Sequence, residues 1–273
     1  MHKIYGNLYK LTVKVKMTKS DHQYDSSISL DSMEIMEREA RNVISANPEV
    51  YWLEHYFLHH KDRLALDFEW CRKNIDKNAK ILEIGAYPFF VTKALMNTGF
   101  DVQTVDAPTA AGGNLAHQLM VASRACDIER DRLPFPDGNF DEIIFNEVFE
   151  HLRIDLLFTM EELQRVLKPG GRLWLSTPNL RSIKGIVNFL KNKESWSRMG
   201  GVYEQWNHLR TMGWMGHIRE YTSKEVADFL LASGFVVDRI VYRGKWSNPV
   251  ANVVSALKPD LRPFFSCIAF KPN

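Results

Sequence analysis

Glu147, Glu150 and His151 fall within five residues, directly after the apolar run Phe140-Asp141-Glu142-Ile143-Ile144-Phe145-Asn146. If the chain turns helically there, Glu147 shares a face with Glu150 at i, i+3 and with His151 at i, i+4. Two carboxylates and an imidazole on one face can hold a hard-to-borderline metal ion. The imidazole can also act alone, because a histidine of near-neutral pKa can take the proton from a hydroxyl that is becoming a nucleophile. A further histidine stands in His217-Ile218-Arg219-Glu220-Tyr221-Thr222, and either His151 or His217 is a candidate for that base. The alternative is that Glu150 and His151 only order a helix start and gate a site. His59 and His60, on an upstream helix, read as surface or packing residues away from these motifs.

A separate constellation points to a small-molecule cofactor. In Ile81-Leu82-Glu83-Ile84-Gly85-Ala86-Tyr87-Pro88-Phe89-Phe90 an apolar strand enters a turn at Gly85, and a helix follows over 91–96. In an open α/β sheet this place lies at a strand's carboxyl end, where cofactors bind. Glu83, Gly85, Ala86 and Tyr87 are the expected contacts there. Asp106 ends the next strand, where a carboxylate can take both hydroxyls of a ribose. A dinucleotide would need further glycines so that its pyrophosphate could approach the turn and the helix N-terminus. Tyr87 and Phe89 occupy those places, which disfavours a nicotinamide-dependent oxidoreductase. S-adenosylmethionine, with a nucleoside and an amino-acid end but no phosphate, needs only one close approach. An ordinary strand–turn–helix without any ligand shares the same short pattern.

The elements that must position these residues follow from periodicity and breakers. Strands are predicted over 80–85, 102–105, 123–126, 141–145, 172–176, 236–241 and 265–270. Helices are predicted over 156–167, stopped by Lys168-Pro169-Gly170-Gly171, and over 223–232, stopped by Gly234. Such alternation implies a mostly parallel sheet with helices on both faces. Residues 1–30 read as a polar extension. Residues 31–78 read as a helical cap with Ser32 as N-cap, and residues 79–273 as the main domain. Within it, 180–220 is an insertion able to fold over the site. The aromatics of this insertion (Phe189, Trp196, Tyr203, Trp206, Trp214) suit sugar faces or apolar rings, or form a small core beneath a cap. Its basic residues (Arg181, Lys184, Lys191, Lys193, Arg198, Arg210) suit carboxylate or phosphate groups.

Cys126-Asp127-Ile128, Leu133-Pro134-Phe135, the run from Phe140 to His151, and Leu167-Lys168-Pro169-Gly170-Gly171 occur in this order and spacing. Together they resemble class I S-adenosylmethionine-dependent methyltransferases of the type 11 and type 23 groups, over roughly residues 78–270. The resemblance implies a Rossmann-like α/β sheet of seven strands, mostly parallel, with the last antiparallel. It further implies that Asp106 binds the ribose, that Asp127 reads the adenine amino group and that Ile128 packs on the adenine ring. The methionine end would lie at the Gly85 turn, helped by backbone near Phe145 and Asn146. Tyr87 departs from the family's usual Gly-x-Gly. Glu-x-x-Glu-His at 147–151 resembles the magnesium-binding segment of ubiquinone-pathway O-methyltransferases and of small-RNA 2′-O-methyltransferases. In the latter a further histidine lies where this chain has His217. The stretch from Trp206 to Tyr221 resembles methyltransferases of glycan and natural-product biosynthesis. These resemblances imply O-methylation of a sugar, glycolipid or similar small hydroxylated metabolite. A catalytically silent methyltransferase-like binding subunit is the other class of reading.

Bulk properties narrow the field. A net charge of +2 argues against a general nucleic-acid binder. Cys71, Cys126 and Cys267 have no metal-ligand spacing and suit a reducing, cytoplasmic setting. No run of about 18 apolar residues predicts a membrane span.

Overall fold

The computed structural model describes residues 22–25, 27–108, 112–191, 193, 201–213 and 215–273. Trp196, Arg198 and Trp214, together with most of the N-terminal extension, lie outside the described residues. The strands are β1 (His22–Asp25), β2 (Lys80–Ile84), β3 (Asp101–Asp106), β4 (Ala122–Ala125), β5 (Phe140–Asn146), β6 (Leu167–Pro178), β7 (Val236–Arg243) and β8 (Phe264–Phe270). They form one sheet in the order β1-β7-β8-β6-β5-β2-β3-β4. Only β8 runs antiparallel to its neighbours, β6 and β7. All seven predicted strands are present. The eighth, β1, lies in the stretch that reads as a polar extension, and it pairs parallel with β7, His22 opposite Ile240. The segment His-Gln-Tyr-Asp has no apolar alternation, so only the open edge of β7 makes it a strand.

The helices are α1 (Leu30–Ser45), α2 (Trp52–Asn74), α3 (Phe90–Asn97), α4 (Gly112–Gln118), α5 (Leu156–Val166), α6 (Ile183–Leu190), α7 (Val202–Met212), α8 (Ser223–Ala232) and α9 (Pro249–Leu257). The N-terminal helical run divides around Pro48, where a ring without an N–H cannot continue α1. Ser29, not Ser32, caps α1: the Ser29 Oγ accepts from the Ser32 N–H at 3.1 Å, and Ser32 is buried one turn inside. Helices α1, α2 and α3 cover one sheet face through Met36, Phe57, Phe68 and Phe90, in one cluster with Ile81 of β2. Trp70 of α2 stacks on Trp174 of β6 at 4.3 Å. Helices α5 and α8 cover the other face through Leu163, Val166 and Leu230. Strands β2 and β5 are buried on both faces, as the interior of a parallel sheet requires. A wholly internal ion pair, Arg243 Nη1 to Asp67 Oδ1 at 2.5 Å, fastens α2 to β7.

Candidate active site

At the end of β2 the chain turns through Gly85 (φ 69°), whose N–H bonds the Val105 carbonyl at 2.8 Å. Gly85 is required twice over: its φ disfavours side chains, and a Cβ there would meet Val148 Cγ2 at 2.5 Å. Phe89 also adopts a left-handed conformation (φ 70°), and its ring is wholly buried in the α1–α3 core. The bulk that replaces glycine at Phe89 therefore faces the core. Tyr87 is half-buried, edge-on to Trp52 at 5.9 Å. Its N–H donates to Asp106 Oδ1 at 3.1 Å, so the turn is tied to the end of β3.

The other Asp106 oxygen, Oδ2, is buried without a partner, and so is Oδ1 of Asn146 at the end of β5. Burial pushes the Asp106 carboxyl up to about 6, against the opposing Tyr87 hydrogen bond. An unpartnered buried carboxylate oxygen at a strand end suits a diol such as ribose. Glu83 stands beneath the turn, held by the Thr92 hydroxyl at 2.6 Å and pushed up to about 8 by burial. Two residues past β4, Asp127 is half-buried, accepting from the Glu129 N–H at 3.1 Å and pairing with Arg130 at 3.1 Å. Ile128 is half-buried beside it, its carbonyl accepting from Thr159 Oγ1. Sequence reading passed over Glu129. Its buried carboxylate accepts the N–H groups of Arg153, Ile154 and Asp155, locking the chain after His151 to the loop after β4.

Immediately after β5 comes not an α-helix but a single 3-10 turn, Phe149–His151. Glu147 precedes it in the left-handed region (φ 57°), so the expected shared helical face does not form. Instead, Glu147 is directed to Arg63 of α2 at 3.8 Å, and burial raises its pKa. The three groups that do converge are Glu150, His151 and His217, with one ligand atom from each lying within 4.8 Å of the others. Glu150 is fully buried; Thr177 donates to its Oε2 at 2.8 Å, while Oε1 is unpartnered. That oxygen lies 4.0 Å from His151 Nε2 and 3.8 Å from His217 Nε2.

The tautomers follow from the acceptors. His151 Nδ1 faces the Gly216 carbonyl at 2.9 Å, and His217 Nδ1 faces the Glu220 carboxylate at 2.9 Å. Each Nδ1 therefore donates, leaving both Nε2 lone pairs beside Glu150. Burial and the neighbouring His217 hold His151 down at about 4, so it is uncharged at neutral pH. His217 comes into reach because the Ile218 and Arg219 N–H groups both bond the Glu150 carbonyl, at 2.8 and 3.3 Å.

Glu147, Glu150, His151 and His217 line a cavity of about 850 Å³ between α2, the ends of β6 and β8, and the loop after β7. A family profile described as "Methyltransferase domain" (type 23) matches residues 52–240. The chain belongs to this family. Its fold agrees with solved S-adenosylmethionine-dependent methyltransferases. One from Archaeoglobus fulgidus is 16% identical with a TM-score of 0.53, covering 79% of this chain and 99% of the other. One from Methanosarcina mazei is 16% identical with a TM-score of 0.51, covering 74% and 96%. A curated relative, a ubiquinone biosynthesis O-methyltransferase of Xanthomonas oryzae, is 29% identical over 127 residues, 45% of this chain and 52% of the relative. The chain thus matches about half the length of that relative. The family assignment identifies S-adenosylmethionine as the cofactor type, and the oxidoreductase alternative finds no support.

Two expectations about the surroundings are corrected. His59 and His60 do not stand away from the motifs: with Tyr56 and Arg63 they form the α2 wall of the cavity. Burial and nearby Arg63 push His60 down to about 4. The wall escapes sequence reading because α2 ends at Asn74, far upstream of β5 at Phe140, and reaches the site only by packing. The insertion's aromatics Phe189, Tyr203 and Trp206 neither line the cavity nor form a core, and all three are exposed. The aromatics that line the cavity are Tyr56, Trp246 and Phe264. Among the described residues, no helix is long and apolar enough to cross a membrane.

Proposed function

We propose that this chain transfers the methyl group of S-adenosylmethionine to a hydroxyl oxygen of a small or glycan-type acceptor in the cavity. The observation that carries this reading is the adjacency of two built sites at the end of β5. One is the carboxyl edge of β3 and β5, with the unpartnered Asp106 and Asn146 oxygens; the other is the three-donor cluster of Glu150, His151 and His217. The Xanthomonas relative, named as an O-methyltransferase, supports oxygen as the acceptor atom.

In this reading Asp106 holds the ribose, Asp127 and Ile128 hold the adenine, and the turn at Gly85, Ala86 and Tyr87 with Asn146 holds the methionine end. Glu83 acts through Thr92 to brace the turn. The cofactor supplies an electrophilic methyl carbon on a sulfonium. Methyl transfer is an in-line displacement, so the protein's main contribution is alignment of the acceptor oxygen with the carbon–sulfur bond. The hydroxyl proton must leave as the new carbon–oxygen bond forms.

Two imidazole nitrogens with one carboxylate oxygen suit Mn2+ or Zn2+ better than Mg2+, which favours oxygen ligands. Such a cation, when bound, would acidify a coordinated hydroxyl. Low proton affinity at His151 fits a ligand better than a base. The hydrogen bond from His217 to Glu220 favours a second reading, in which His217 takes the proton without a cation.

Calorimetric titration with S-adenosylmethionine, followed by release of S-adenosylhomocysteine across a panel of hydroxylated acceptors, tests the proposal. Absence of cofactor binding would refute it. Binding without turnover on any acceptor would favour the silent-subunit reading. Activity lost to a chelator and restored by Mn2+ or Zn2+, and lost in Glu150→Gln, is the expected result. Activity indifferent to chelator but lost in His217→Gln would assign the base and remove the cation.

A further inference from the structure

Two helices beside the cavity are inside out. In α9, Val250, Val253, Val254 and Leu257 follow the i, i+3, i+4, i+7 spacing of a buried stripe, yet Val250 is 70% exposed and Leu257 85%. The polar residues of α9 face inward instead. Asn252 accepts from the Trp246 N–H at 2.8 Å, and Ser255 is wholly buried, its carbonyl accepting from Arg262 Nε at 3.2 Å. In α6 the buried residue is Gly185, while Ile186, Val187, Phe189 (72%) and Leu190 (76%) face solvent. The two helices are fastened on one side of the molecule. Arg181, just before α6, pairs with Asp260 just after α9 at 3.4 Å, and Asn179 Nδ2 donates to the carbonyls of Asp260 and Arg262. Both helices adjoin the cavity wall: Ser182, Lys184 and Gly185 line it at α6, and Gly244, Lys245 and Trp246 line it just before α9.

The two helices carry cations and no carboxylate. Residues 183–193 contain Lys184, Lys191 and Lys193, and residues 245–258 contain Lys245 and Lys258; the carboxylate just beyond, Asp260, is paired with Arg181. Exposed apolar stripes on short helices, rimmed by lysines, are what an interfacial surface on an anionic bilayer requires. A second copy of this chain would bring the same cations against them, whereas anionic headgroups complement them.

We propose that the α6–α9 face docks this protein on an anionic lipid surface, with the cavity opening toward that surface. The docking does not depend on the proposed methyl transfer, and its test reads no activity. Flotation with phosphatidylcholine vesicles, with and without about 30% phosphatidylglycerol, should show binding to the anionic vesicles that weakens with salt. Lys191→Gln with Lys193→Gln should weaken it roughly 25-fold, about five-fold per charge. Val253→Ser with Leu257→Ser should abolish it, with far-UV circular dichroism and S-adenosylhomocysteine binding retained as fold controls. Failure to bind anionic vesicles, or binding indifferent to both pairs of substitutions, would overturn the proposal. So would a dimer in gel filtration that the Val253/Leu257 substitutions dissociate, which would assign the face to a second copy.

Discussion

Asp106→Asn should strengthen the fold and weaken the site at once. The carboxylate is 9% exposed, with Oδ1 held by the Tyr87 N–H at 3.1 Å and Oδ2 left without a partner. Burial lifts its pKa from the ordinary 3.8 to about 6. Keeping it ionised at pH 7 therefore costs about 3 kcal/mol, some two pKa units at about 1.4 kcal/mol each. Asparagine removes that cost and still offers Tyr87 an oxygen, giving up charge assistance of about 1 kcal/mol. The net gain is about 1–2 kcal/mol, a rise in Tm of roughly 3–6 °C without cofactor. Affinity should move the other way. Loss of one carboxylate acceptor for a ribose hydroxyl costs about 1.5–3 kcal/mol, or roughly 10- to 150-fold in the Kd of S-adenosylhomocysteine. The pH dependence carries a definite sign. Between the unfolded pKa of 3.8 and the folded value of about 6, the native wild type binds the extra proton, so its stability rises as pH falls. The variant's advantage should therefore shrink below pH 6 and vanish near pH 4. Scanning calorimetry across this range, with isothermal titration at pH 7, measures both effects. A variant less stable than wild type at pH 7, or one that binds S-adenosylhomocysteine undiminished, would refute the reasoning.

Two further perturbations test the scaffold. Gly85→Ala places a Cβ 2.5 Å from Val148 Cγ2 at a φ of +69°, so urea denaturation should show a loss of at least about 1–2 kcal/mol, and cofactor affinity should fall with it. An unchanged midpoint would mean that the turn relaxes freely. Asp67→Asn or Arg243→Met, each leaving a buried partner uncompensated, should cost about 3–5 kcal/mol; Asp67→Leu with Arg243→Met together should recover most of it. Additive losses in the double variant would show that the pair is not a coupled unit.

By itself the sequence determined seven of the eight strands, β2 to β8, and the glycine turn after β2. Apolar runs such as Lys80–Ile84 and Phe140–Asn146 can be buried on both faces only in a parallel sheet, and a glycine turn after such a strand marks the carboxyl edge. Glu150 and His151 stand out by spacing and His217 by a family resemblance, and the three do meet. Tertiary structure alone decided that Glu147 leaves that group for Arg63, because a left-handed residue before a 3-10 turn breaks the i, i+3 relation. It also decided that His60 borders the cavity and that the apolar faces of α6 and α9 point outward. Periodicity specifies that a helix has two faces. Which face is covered depends on what packs against it, a residue far away in the chain for α2, where Asp67 meets Arg243, and a nearer one for α9, where Arg262 bonds the Ser255 carbonyl.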